Sequence, residues 1–187
     1  MKSILFITDS DKQLSGGLKQ LYFNIIGLKK RGYNVYMVCK KASGIFDAIK
    51  EQLDSFIFLE FKDVRSDGKI LLDFAKGNKV DVVHTFHNKG HKVGLWGKIF
   101  GGSFRLFINR GVNFVPTNIF YYPHPKIDGF VCNSKNVADK LKYIFVPERK
   151  RNVIYNAFSP SLDGFHEDTI KGELPEKDAV KIVTVTS

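Results

Sequence analysis

The sequence predicts an α/β fold, a Rossmann-like, doubly wound parallel sheet held between helices in a three-layer α/β/α arrangement. Three observations carry this expectation. Short apolar runs alternate with amphipathic, helix-spaced runs along most of the chain, the pattern of βαβ units. Several apolar runs are continuous rather than alternating, as in Ile4-Leu-Phe-Ile7 and Leu106-Phe-Ile108, which suits strands buried on both faces. Gly32 and the pair Gly101-Gly102 stand where helix-spaced runs stop, a position that favours glycine.

The first unit sets the pattern. Residues 3–8 read as a strand, 9–15 as a polar loop, and 16–30 as a helix with an apolar stripe of Leu18, Leu21, Tyr22, Ile25 and Leu28. Lys29, Lys30 and Arg31 complement the negative end of its dipole, and residues 34–39 form a second strand. Residues 45–53 then read as a short amphipathic segment, and 56–59 as a strand. A helix over 68–76 buries Ile70, Leu71, Phe74 and Ala75, and a strand over 80–83 ends at His84. A helix over 92–100, strands over 106–108 and 130–132, a helix over 137–143 and a strand over 153–155 complete the series. The rhythm breaks at residues 109–126, where Pro116, Pro123 and Pro125 predict a loop. Its aromatics, Phe114, Phe120, Tyr121 and Tyr122, either cover a substrate or touch lipid, or else pack on the loop's own base.

With 187 residues, 43% hydrophobic and 26% charged, the chain has a globular composition and can bury one well-packed α/β core. Its formal charge of +10 points to anionic partners: phosphates, nucleic acid or an anionic membrane surface. No apolar run is long enough to cross a bilayer, and Met1-Lys2 leads into a strand without a signal-peptide pattern. A cytoplasmic location, peripheral on the inner face of the membrane at most, is therefore expected. Cys39 and Cys132 each end an apolar run and read as buried, reduced thiols.

The loop of the first unit is the chemical clue. Gly16-Gly17 stands at a helix start, where unpaired N–H groups and the dipole attract phosphate, and missing Cβ atoms let a ligand come close. The alternative is a plain turn with Ser15 as N-cap. The spacing is neither G-x-G-x-x-G nor G-x-x-x-x-G-K-[ST], which argues against an ordinary dinucleotide or P-loop site. His84, His87 and His91 invite a metal reading, but Gly90 interrupts a shared helical face and a third converging ligand is missing; no metal site is expected.

In order along the chain, further pieces match one family. Gly16-Gly17 follows the first strand. Leu28-Lys-Lys-Arg-Gly32-Tyr-Asn-Val35 is similar to an "L-x-x-x-G-H-x-V" turn, and Val80-Asp-Val-Val-His84 to a "D-V-V-H" strand end. Phe130-Val-Cys-Asn-Ser134, Val153-Ile-Tyr-Asn156 and Lys181-Ile-Val-Thr-Val185 resemble the elements that follow. Together they resemble the N-terminal half of a GT-B glycosyltransferase of the family 4 type. The resemblance implies transfer of a sugar from a nucleotide-diphosphate sugar, usually with retention, to a saccharide or lipid-linked acceptor in cell-envelope polysaccharide synthesis. It implies no cofactor beyond that donor. Residues 1–160 would be the acceptor-side domain, 161–179 the interdomain linker, and 180–187 the first strand of a missing donor-binding domain. That missing domain would hold the family's basic phosphate clamp and E-x7-E motif, so this chain alone is expected to be inactive.

Candidate site residues follow from strand ends, where parallel sheets place ligands. Gly16 and Gly17 are expected at the donor phosphates, His84 and Arg110 at substrate, and Asn109, Gly111, Ser134 and Asn156 along the cleft. The catalytic residues are not identified. His84 reads equally as a hydrogen-bonded structural histidine, Ser134 as a helix N-cap, and Asn156 as a turn residue. Many family members carry a histidine in the loop after the fifth strand, where this chain reads Phe107-Ile-Asn-Arg-Gly111; Arg110 can stabilise an anion but stays protonated and cannot act as a base, and Ala157 replaces the usual glycine after Asn156. Two other classes remain open: a nucleic-acid-binding module, suggested by charge alone and lacking any recognised motif, and a nucleotide-dependent oxidoreductase. Nucleic acid is not the expected partner.

Overall fold

Seven parallel strands form one sheet in the order β3-β2-β1-β4-β5-β6-β7. They are β1 (Ser3–Thr8), β2 (Asn34–Cys39), β3 (Ser55–Phe58), β4 (Val82–Phe86), β5 (Arg105–Arg110), β6 (Gly129–Cys132) and β7 (Arg151–Val153). The helices are α1 (Gly16–Lys30), α2 (Phe46–Ile49), α3 (Val64–Gly77), α4 (Asn88–Ile99) and α5 (Lys135–Lys140). This computed structural model describes residues 2–11, 15–117 and 121–156. The expected linker and second-domain strand lie outside the described residues, as does Phe120.

Right-handed crossovers explain the layering. The helices α1 and α2 serve β1, β2 and β3 and cover one face, where Leu18, Leu21, Ile25 and Ile49 pack with Phe6, Val35, Met37 and Cys39. The helices α3, α4 and α5 cover the other face, where Leu71, Val93 and Val137 join Leu5, Val83, Leu106, Ile108 and Phe130. Alternate strand residues feed the two cores, as the pleat requires. Gly94 lets α4 lie close on the sheet: a Cβ there would meet Thr85 Cγ2 at 2.6 Å.

The N-terminal edge of the sheet is held by a recurring device. Asp54, Asp81 and Asp128 each stand one residue before a strand and accept the first free N–H of the neighbouring strand. Val35 N donates to Asp54 at 2.7 Å, Ser3 N to Asp81 at 2.9 Å, and Leu106 N to Asp128 at 2.7 Å. These bonds satisfy backbone donors that the ladder leaves over and lock the register. The Ser3 N–H and hydroxyl hold the Asp81 carboxyl below its ordinary range.

Two strands run further than the apolar pattern suggests. The strand β4 continues past His84 through Thr85 and Phe86, and β5 includes Asn109 and Arg110. Thr85 and Phe86 are good strand residues, and Asn109 and Arg110 pair with Val131 and Cys132. His84 therefore lies inside β4, opposite Phe6 and Phe107, and not at the strand end.

Candidate functional site

The strand order reverses between β1 and β4, and in open parallel sheets the crevice at such a point binds ligands. Here α1 starts on one face and α4 on the other, so two helix N-termini meet the same gap. A helix start carries N–H groups without partners inside the helix and a positive dipole end.

Their local chemistry differs. Ser15 is the N-cap of α1 and its hydroxyl accepts from Leu18 N at 3.3 Å. The N-cap reading of Ser15 is thus realised, and it leaves the Gly16 and Gly17 amides at the helix start. A Cβ on Gly16 would meet nothing within 4 Å, while one on Gly17 would touch His87 Nε2 at 3.4 Å. The helix α4 has no cap from its own N-cap side chain; instead Asp9, just past β1, accepts from Gly90 N at 2.9 Å. Asp9 thereby ties the start of α4 to the end of β1.

His87 is the residue that the sequence pattern hides. It follows β4 directly, with φ 63° and ψ 163°, a region that non-glycine residues seldom occupy. Its Nδ1 lies 2.9 Å from Thr8 Oγ1, which also accepts from Ser10 N at 3.3 Å. The ring is thus pinned to the end of β1 with Nε2 towards Gly17. A strained backbone of this kind costs on the order of 1–3 kcal/mol and gathers at functional sites. The available signal was indirect: once Thr85 and Phe86 extend β4, His87 becomes its first rim residue.

One strand further along, Arg110 ends β5. It is buried, with Nη2 donating to Phe114 O at 2.7 Å and Nη1 to Tyr122 Oη at 3.3 Å. Gly111 follows, and its carbonyl accepts from Asn133 Nδ2 at 3.3 Å, joining the ends of β5 and β6. Ser134 caps α5, its hydroxyl accepting from Val137 N at 3.3 Å, so the capping reading accounts for it. Tyr121 donates to Lys92 O and Tyr122 stacks on Phe130; these two loop aromatics pack on the loop's base, whereas Phe114 stays exposed.

His84, Asn109 and Asn156 come together elsewhere. With Asn133 and Phe6 they line a groove of about 360 Å³ beside α1, on the α1 face of β4, β5 and β6. His84 packs on Phe86 at 4.8 Å, and its buried Nε2 has no hydrogen-bond partner among the described residues. Burial lowers its pKa to about 4, so the ring is neutral at pH 7. His91 points into the opposite core, 2.9 Å from Thr85 Oγ1; burial, then the charges of His87 and Arg110, lower its pKa to about 3. The three histidines thus serve three different places, and among the described residues no three His, Cys, Asp or Glu side chains gather as metal ligands. Burial raises the Cys39 thiol to about 12 and the Cys132 thiol to about 11. No helix among the described residues is long and apolar enough to cross a membrane.

No family model matches the sequence, and no curated protein matches it. Solved structures do. A glycosyltransferase from Rickettsia africae superposes with a TM-score of 0.66 at 19% identity, over 83% of this chain and 43% of that one. HepE from Anabaena, in complex with UDP and glucose, gives 0.61 at 14% identity, over 84% and 45%. The lipopolysaccharide outer core galactosyltransferase WaaB gives 0.60 at 15% identity, over 86% and 47%. At such identities the likeness is one of fold, a GT-B-like α/β domain. The chain spans less than half the length of each of these structures.

Proposed function

We propose that this chain is the acceptor-side half of a family 4 type glycosyltransferase that works on nucleotide-diphosphate sugars. The observation that carries the reading is the convergence of two helix N-termini and a strained histidine at the β1/β4 reversal. Phosphate oxygens suit N–H groups at helix starts. Gly16 and Gly17 let a diphosphate approach α1, and the start of α4 faces the same gap from the other side. The His87 ring, held by Thr8, presents Nε2 across from Gly17, at the mouth of that crevice. Its place is that of a hydrogen-bonding partner for the transferred sugar or the leaving phosphate. Arg110 and Gly111, at the end of β5, frame the neighbouring rim, where the acceptor would lie.

In this reading the sugar passes, with retention, to a saccharide or lipid-linked acceptor of cell-envelope polysaccharide synthesis. The other wall of the cleft belongs to a second domain that carries most of the donor contacts. A helix start alone offers an exposed anion about 0.3–1 kcal/mol. Even millimolar binding needs about 4 kcal/mol. The chain by itself therefore transfers no sugar.

Attachment to the inner face of the cytoplasmic membrane is part of the proposal. Lys142 lies 5.3 Å from the ring of Tyr143, and Tyr143 and Phe145 are 60% and 85% exposed, just past α5 with its Lys135 and Lys140. Exposed aromatics beside lysines suit an anionic interface, where each basic residue contributes about 1 kcal/mol.

The test is transfer of labelled sugar from a panel of UDP- and GDP-sugars, by this chain and by a longer polypeptide that joins it to a donor-binding domain. Turnover by the longer form, lost in His87→Ala and absent from the chain alone, supports the reading. Turnover by the chain alone, or none by the longer form with any donor, would overturn it.

A further inference from the structure

Arg110 is a buried cation without a buried anion. It is 5% exposed, and no carboxylate among the described residues makes an ion pair with it. Its guanidinium lies between two rings, 4.7 Å from the centroid of Phe114 and 5.5 Å from that of Tyr122. Two neutral acceptors take one N–H each, the Phe114 carbonyl and the Tyr122 hydroxyl. The buried Nε has no partner among the described residues.

An arginine cannot escape this cost by losing its proton, as the buried histidines do. Its surroundings register the uncompensated charge. Arg110 helps to keep His91 neutral, after burial and His87, and it opposes the rise that burial imposes on the Cys132 thiol. Buried charges in native proteins are as a rule paired with an opposite charge, and an unpaired one is costly.

The position favours a ligand. Arg110 ends β5, which pairs with β4, so it stands one strand spacing, about 5 Å, from the strand that leads to His87. The cover on its outer side is Phe114, whose side chain is 57% exposed. The site requires that ring to move aside, while the Nη1 bond to Tyr122 Oη can stay.

We propose that Arg110 binds an oxyanion of the acceptor, a carboxylate or a phosphate monoester, which slides beneath Phe114 and pairs with Nε and the guanidinium edge. The planar fork of arginine suits both groups bidentately. The acceptor would then be an acidic sugar or a sugar phosphate, and Arg110 a binding residue with no acid–base part. The word acceptor rests on the glycosyl-transfer reading above; the oxyanion site itself does not.

The experiment is thermal unfolding of this chain at constant ionic strength with methyl glucuronide, glucose 6-phosphate or glucose. Arg110→Met and Arg110→Lys serve as the variants. A ligand at ten times its Kd raises Tm by about 3–6 °C. The expected result is such a rise with at least one acid, none with glucose, and none for Arg110→Met. The unliganded Tm of Arg110→Met should equal or exceed that of the native chain. A rise with glucuronide alone marks a carboxylate acceptor, and a rise with the phosphate alone marks a phosphorylated one. Arg110→Lys should keep part of a phosphate effect, as a point charge, and lose the glucuronide effect. An equal rise in Arg110→Met would reduce the effect to the basic surface and overturn the site. A marked fall in the unliganded Tm of both variants, with no ligand effect in the native chain, would make Arg110 a strap for the loop. Displacement of the acid by UDP would move the site to the donor and overturn the acceptor assignment. Oxyanion binding through Arg110 in a longer polypeptide that transfers no sugar would leave the site standing and remove only the glycosyl-transfer reading.

Discussion

Acid should unfold this protein earlier than its carboxylates alone would, because His91 is buried neutral and the half-buried His84 ring on the groove wall is held neutral too. Their ordinary pKa is 6.5, and in the fold it falls to about 4 for His84 and about 3 for His91. The folded values are depressed, so stability is fully present above pH 6.5 and drains as pH falls towards 4 and then 3. In that window the unfolded chain takes up protons that the native state refuses. Between pH 7 and pH 5 each ring costs about 1.9 kcal/mol, or about 4 kcal/mol together, at 1.36 kcal/mol per pKa unit. That is a large part of the 5–15 kcal/mol typical of a domain. Asp67 acts with the opposite sign, since burial and then Asp63 and Glu60 raise its pKa. It offsets some of the loss. Urea denaturation followed by circular dichroism at pH 7 and pH 5 measures the effect. With a slope of about 2 kcal/mol per molar, the midpoint should fall by up to about 2 M. The double variant His84→Gln/His91→Gln should lose most of this pH dependence. A midpoint unchanged between pH 7 and pH 5, or a drop of the same size in the double variant, would refute the reasoning.

Three further outcomes are expected. Gly17→Val in a sugar-transferring longer form should raise the donor KM or lower kcat at least tenfold while shifting Tm little, because the added side chain fills the gap towards His87 Nε2; unchanged kinetics in a stable variant would leave Gly17 a simple turn residue. Asp81→Ala should lower the urea midpoint, since it leaves the Ser3 N–H without its acceptor, and Asp81→Asn should recover part of that; no loss in the alanine variant would show the edge lock to be idle. Gly94→Ala should cost about 1–3 kcal/mol by overpacking against Thr85 and Leu106; a neutral result would mean that α4 can shift freely on the sheet.

Much of the architecture was legible in the residues. The apolar runs of β1 and β2, the stripe of α1 and the lysines before Gly32 coincide with the observed elements. Legibility failed where polar residues are carried inside strands. His84 and Asn109 read as rim residues because hydropathy drops there, yet pairing with β1 and β6 keeps them in the sheet. That shift of three residues in β4 moved the rim from His84 to His87. His84, Asn109 and Asn156 do share a surface, but it is the groove beside α1 rather than the crevice at the strand reversal. Asp9 and His87 could not be singled out from sequence, since a backbone strain and a cap borrowed across some eighty residues leave no local pattern.

The most direct test of the site is a map of amide shifts in this chain, ¹⁵N-labelled and joined to a donor-binding domain, as UDP-glucose is added to saturation. Shifts should concentrate at Gly16 and Gly17, at Asn88, Lys89 and Gly90, and at His87 itself. The residues around the groove, Asn24, Asn109 and Asn156, should stay still. Shifts confined to that groove, or no shifts at the two helix starts, would contradict the placement of the sugar nucleotide at the β1/β4 reversal.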